Sequence, residues 1–204
     1  MTLRRVWSSY MQVLRARAPL TSASVRPPRS ETELLEAERA TAPWTDELRE
    51  LFAVQDGQDA TYAGRVDPGE LLPELRLLPL DEVVALHRYW IRHPHRIDYL
   101  GPDWPSKVRA QSAGESAAMY VPEYIPFAEG LAGSFAYIDT RRGPHSGCVR
   151  FFTAEGADDG SLWYESLTDF VQQVSDSVDT DTPHGELIPT ITDGTLLWEG
   201  DPSG

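Results

Sequence analysis

Among 204 residues there is one cysteine, Cys148, and one lysine, Lys107. A lone cysteine cannot close an internal disulfide, so nothing in the chain calls for an oxidising compartment. No run of 18 apolar residues occurs, and the opening MTLRRVWSSYMQVLRARA lacks the continuous apolar stretch of a signal peptide. Membrane spanning and secretion are therefore not expected, and a cytoplasmic location is. The opening is Arg-rich and free of acids, as transit peptides are, yet Leu3, Trp7, Tyr10, Met11 and Leu14 recur at helical spacing. That stripe suits a helix packed on a domain.

Charge of one sign is missing from each end. Residues 1–30 hold six arginines and no acid, whereas residues 151–204 hold twelve Asp or Glu and no Lys or Arg. The net charge of -14 repels nucleic acid and anionic membranes and attracts basic partners. A dedicated acidic binding face and a merely solubilising acidic tail both fit this pattern. With 41% apolar and 25% charged residues the composition is that of an ordinary globular protein, and no polar linker divides it, so residues 1–204 read as one domain.

Local signals order the chain. Ser30 and Glu33 form a capping box for a helix to about Thr41, and Pro43 breaks it. Leu48, Leu51 and Phe52 mark a second helix ending at the Asp56-Gly57 turn. Residues 58–70 read as a loop and Arg76 to Leu80 as extended. Asp81 is placed to cap a helix carrying Val83, Val84, His87, Trp90 and Ile91, which Pro94 ends. Residues 93–123, rich in Pro, Gly and Ser, read as a long surface connection with a short helix near Lys107. Ser134 to Asp139 alternates as a strand, and Cys148 to Phe152 and Leu162 to Tyr164 continue the sheet. Ser166 starts a helix with Leu167, Phe170, Val171, Val174 and Val178 on one face, and Asp193-Gly194 turns a final hairpin. Strands gathered in the second half, with helices before and between them, predict an α+β fold with a mainly antiparallel sheet. Trp7, Phe127, Trp163 and Phe170 are predicted to share one core, with Trp44 and Phe135 in the same apolar pattern.

The order of pieces in YIPFAEGLAGSFAYIDTRRGPHSGCV, from Tyr124 to Val149, followed by WYESLTDFV up to Val171, resembles the SUKH superfamily, whose bacterial members include SMI/KNR-type proteins. Trp7, Arg26-Pro27-Pro28, Asp56-Gly57, the run Leu77 to Val83 and the closing Asp193 to Trp198 extend the resemblance over nearly the whole chain. Cys148 departs from it, standing where the family pattern commonly has a polar residue. The resemblance implies a SUKH-like single domain and an interaction role: many bacterial members look like immunity proteins that neutralise a toxin, and fungal relatives act as regulatory scaffolds. Fold likeness by itself assigns no chemistry.

Motifs for chemistry have structural readings that fit better. His93-Pro94-His95 with Asp98 and Asp103 has metal-ligand residue types, but Pro94 splits the pair at a helix end, where His favourably faces the dipole, and no metal or cofactor is expected. Cys148 follows His145 at three residues, yet one falls in a strand and the other in a loop, which disfavours a Cys-His nucleophile. Asp158-Asp159 and Asp179 with Asp181 read as solvated charge. With Lys107 the only lysine, Gly130 to Gly133 cannot be a phosphate loop and is a turn. The chain is thus expected to be no enzyme but a protein-binding module, an immunity protein for a basic toxin domain, possibly a nuclease, with a regulatory scaffold as the alternative. Glu155, Asp158 and Asp159, in the loop after the Cys148 to Phe152 strand, are the leading contact candidates, then Glu129, Asp139 and Asp56; solubilising charge is the other reading of all six.

Overall fold

The computed structural model describes residues 2–59, 68–93, 100–153, 157–158 and 160–200. It is a mixed α+β fold. Four helices come first: α1 (Leu3–Arg17), α2 (Pro19–Ala23), α3 (Glu31–Ala40) and α4 (Asp46–Phe52). The short strand β1 (Arg76–Leu77) leads into α5 (Leu80–Arg92) and α6 (Trp104–Ala110). Strands β2 (Tyr124–Glu129), β3 (Phe135–Asp139), β4 (Val149–Thr153) and β5 (Ala157–Asp158) follow. The chain continues through α7 (Leu167–Thr180) into β6 (Leu187–Thr192) and β7 (Thr195–Gly200). Strands β1 to β5 lie side by side in sequence order, antiparallel throughout, and β6 with β7 forms a separate two-stranded sheet.

The helices start where the sequence signals place them. Ser30 accepts from the Glu33 amide while the Glu33 carboxylate accepts from the Ser30 hydroxyl and amide, and the bonds to the carboxylate, with Arg29, hold it down at about 2. Ser166 accepts from the Asp169 amide to open α7. The Asp193-Gly194 turn has φ of 50° and 80°, the left-handed pair that a type I′ hairpin needs. One cap differs. Pro79 occupies the capping position of α5, Asp81 sits in its first turn, and the Leu80 amide donates to Asp56 Oδ1 at 2.8 Å. Asp56 is 24 residues away in sequence. Glu47 does likewise for α7, accepting from the Leu167 amide at 3.0 Å and from the Thr168 hydroxyl.

All five residues of β3 are buried. Ala136 and Ile138 face a core that includes Trp7, Leu48, Phe127 and Phe170, built from α1, α4 and α7. Phe135 and Tyr137 face a second core with Trp90, Val108, Ala117, Tyr120, Tyr124 and Phe152. The period-2 alternation of β3 therefore separates two buried faces. The segment from 100 to 121 carries the short helix expected of it, but it is not a surface connection: its own Val108, Ala113, Ala117, Tyr120 and Val121 are buried.

Two more expectations change. Trp163 lies outside the cores, 39% exposed, its indole stacked on Phe151 at 4.5 Å and 7°. Residues 162–164 meet the sheet through one bridge, Val149 to Tyr164, and add no strand. Residues 60–67, most of the expected 58–70 loop, and Pro94 lie outside the described residues. The two charged ends meet, since α1 packs along α7. Arg17 donates to the Val178 and Asp179 carbonyls at the end of α7 and pairs with Asp181 at 2.6 Å, where a cation is favoured by the helix dipole.

Burial ranks the tryptophans. Trp7→Ala should lower unfolding free energy by about 3–5 kcal/mol, and Trp163→Ala, which loses one exposed stacking contact, by about 1 kcal/mol. Urea unfolding of both variants measures this; equal losses would contradict the placement of Trp163.

Candidate functional site

Three of the six carboxylates expected at a binding surface are buried. Asp139 is fully covered, Asp158 is 4% exposed and Asp56 2% exposed. An isolated buried carboxylate would be strongly unfavourable, and each is matched by arginine. Arg150 Nη2 lies 2.9 Å from Asp158 Oδ1 and its Nη1 3.8 Å from Asp139 Oδ2. Arg141 grips Asp139 with Nε at 3.0 Å and Nη2 at 2.7 Å. Two guanidiniums thus balance two carboxylates.

Backbone groups of residues 114–117 complete this cluster. The Gly114 amide donates to Asp139 and the Ala117 amide to Asp158, each at 3.0 Å, while the Glu115 carbonyl accepts from both arginines. The Tyr124 hydroxyl donates to Asp158 at 3.1 Å. Asp56 pairs with Arg29 at 2.7 Å and Arg26 at 3.2 Å besides capping α5. These three aspartates are fold ties, a correction to their expected role. Glu129, the last residue of β2, is partly exposed and paired with Arg76 at 2.9 Å. Glu155 and Asp159 lie outside the described residues.

Cys148 and the described histidines are held by burial or by neighbouring groups. Burial, and then the nearby Asp139 charge, push the Cys148 thiol up to about 12, opposite to what a nucleophilic cysteine needs. His145 reaches Glu165 with Nδ1 at 3.1 Å, and its carbonyl accepts from the Cys148 amide. His87 is buried and donates from Nε2 to the Pro122 carbonyl at 2.8 Å; burial lowers its pKa. His93 stacks on Tyr89 at 4.4 Å. His95 and Asp98 lie outside the described residues, and among those described no three His, Cys, Asp or Glu converge as metal ligands. No described helix is long and apolar enough to cross a membrane.

An open groove of about 610 Å³ lies beside the final hairpin. Its sides come from the turn before β1, residues 162–164 and the approach to β6. Tyr164 and His184 share a hydrogen bond of 2.7 Å between Oη and Nε2, and burial lowers the His184 pKa while raising that of Tyr164. Trp163 contributes its exposed indole, and Glu74 and Glu186 supply the formal charges. Around the groove and along α7, Asp176, Asp179, Glu186, Asp193 and Glu199 are exposed without a basic partner among the described residues. Sequence reasoning missed the groove because Trp163 matched a strand pattern and nothing local joins Glu74 to Glu186. No family model and no curated protein matches the chain.

Removing one member of the buried cluster strands its partner. Asp158→Asn should destabilise the protein by about 3–5 kcal/mol in urea unfolding, and a loss below about 1 kcal/mol would contradict the pairing. The raised Cys148 pKa predicts a native thiol that resists aromatic disulfide reagents at about pH 8 and reacts fully once urea unfolds the chain. Rapid native labelling would contradict its burial.

Proposed function

We propose that this protein is a non-enzymatic binding module of the immunity type, which neutralises a bacterial toxin by covering a basic surface on it. The observation that carries this reading is the set of exposed acids on α7 and the final hairpin, left without basic partners among the described residues while Asp56, Asp139 and Asp158 are paired with arginine inside the fold. A nuclease toxin needs a positive groove for its own substrate, and an acidic protein competes for that groove by charge. The resemblance to SUKH proteins supports the same role. Occlusion needs no chemistry from the module, in keeping with a thiol held protonated and carboxylates tied to arginine.

The test is association with a purified basic nuclease toxin domain from the same genome, measured at two salt concentrations. Electrostatic steering predicts an association rate that falls as salt rises, and stoichiometric loss of nuclease activity. Replacing Asp176, Asp179, Glu186 and Glu199 with amides should lower that rate about tenfold and flatten its salt dependence. Stability should change by no more than about 0.5 kcal/mol, because surface charges contribute little to it. Salt-independent association, or binding without inhibition, would contradict the immunity role; an endogenous partner bound in its place would point to a regulatory scaffold.

A further inference from the structure

The groove beside the final hairpin has a chemistry more specific than general acidity. One face of the Trp163 indole is taken by Phe151 at 4.5 Å and 7°, so the ring is fixed and its exposed part is turned to solvent. Among the described residues, Glu74 and Glu186 are exposed groove residues without an ion-pair partner, and no arginine or lysine lines the groove. The hydrogen-bonded Tyr164 and His184 form a wall that burial keeps neutral. An aromatic face with two unpaired carboxylates complements a cation that also has a flat face.

Glu74 adds an independent sign. Its φ is 54°, the left-handed region that glycine occupies without strain and a glutamate does not. A turn required only to reverse the chain is better served by glycine. The strained position instead places a carboxylate at the mouth of the groove, as happens at binding sites that hold backbone strain.

We propose that the groove seats an arginine side chain of the protein partner, its guanidinium lying on Trp163 and bonded by Glu74 and Glu186. This rests on the reading of the chain as a module for a basic partner, and names the anchor. Arginine fits better than lysine because its planar guanidinium stacks on an indole and offers paired donors to carboxylates, while a compact ammonium does neither as well. A groove of about 610 Å³ holds the side chain together with its neighbours in the partner chain.

The probe is the blocked tripeptide acetyl-Gly-Arg-Gly-amide, titrated into the ¹⁵N-labelled protein, with citrulline and lysine analogues as controls. Tryptophan indole NH signals are followed and assigned by substitution. The Trp163 signal should move with the arginine peptide while that of buried Trp7 stays. The lysine analogue should bind several-fold more weakly, and citrulline, which has the shape without the charge, should have no effect. Glu186→Gln should weaken the arginine peptide about tenfold. Glu74→Gly should weaken it similarly while leaving the melting temperature unchanged or higher, which a purely structural residue would not do. Citrulline binding as well as arginine, or Glu74→Gly and Glu186→Gln leaving the titration unchanged, would overturn the proposal.

The toxin domain separates the two levels. Trp163→Leu should cut its affinity about tenfold with the fold intact. Undiminished binding would overturn the arginine anchor and leave the immunity reading standing. No toxin binding by the unmodified protein, with the arginine peptide still seated at Trp163, would overturn the immunity reading and leave the anchor standing.

Discussion

Arg150 is fully buried in the middle of a sheet, and the fold is organised around neutralising it. A guanidinium withdrawn from water needs both an opposite charge and acceptors for its remaining donors. Asp158 and Asp139 provide the charge, and the carbonyls of Glu115 and Ser161 accept further hydrogen bonds. Asp139 in turn holds Arg141, which reaches Gln111 and Glu115. The segment around residues 111–117 is thereby fixed on a sheet face whose other side already rests on α1 and α7. That constraint permits β3 to be buried on both faces and allows two aromatic cores to flank one small sheet.

The same requirement sorts the acids of a strongly acidic chain. Some close the structure at long range: Asp56 serves α5, Glu47 serves α7, and Asp139 and Asp158 serve the buried arginines. Others find arginine at the surface, as Glu38 does with Arg49 at 2.5 Å. A further set lies exposed on α7 and the hairpin, within a stretch of sequence that holds no Lys or Arg. Their mutual repulsion is tolerable because they are exposed to water and screened, and their field is free to act on something outside the molecule. The groove with Trp163 opens beside this region.

Elements with local causes were legible before the structure. The Ser30 to Glu33 box, the Ser166 cap, the α1 stripe and the Asp193-Gly194 turn each depend on residues a few positions apart, and each formed as read. The α+β class followed from their order. What depended on distant partners was not legible. An aspartate beside a glycine looks like a solvated turn residue, and only the fold reveals that Asp56 meets Arg26, Arg29 and the Leu80 amide. Asp158 sat in an apparently acidic loop, and its burial is set by Arg150 on the neighbouring strand. Residues 100–121 lack periodicity because they cover the sheet as an irregular layer, so their buried apolar side chains carry no repeat. Trp163 and Phe151 are twelve residues apart and match strand patterns separately; their stacking outside the core comes from the path between them.

The central claim is that the buried carboxylates hold the fold while the exposed acidic face and its groove meet the partner. Hydrogen–deuterium exchange of the protein with and without the basic toxin domain tests it most directly. Binding is expected to slow exchange at residues 72–75, 162–165 and 184–188, with amides around 114–117 protected equally in both states because Asp139 and Asp158 already hold them. Protection induced instead around 111–117 and 141–146, with the groove unchanged, would contradict the account.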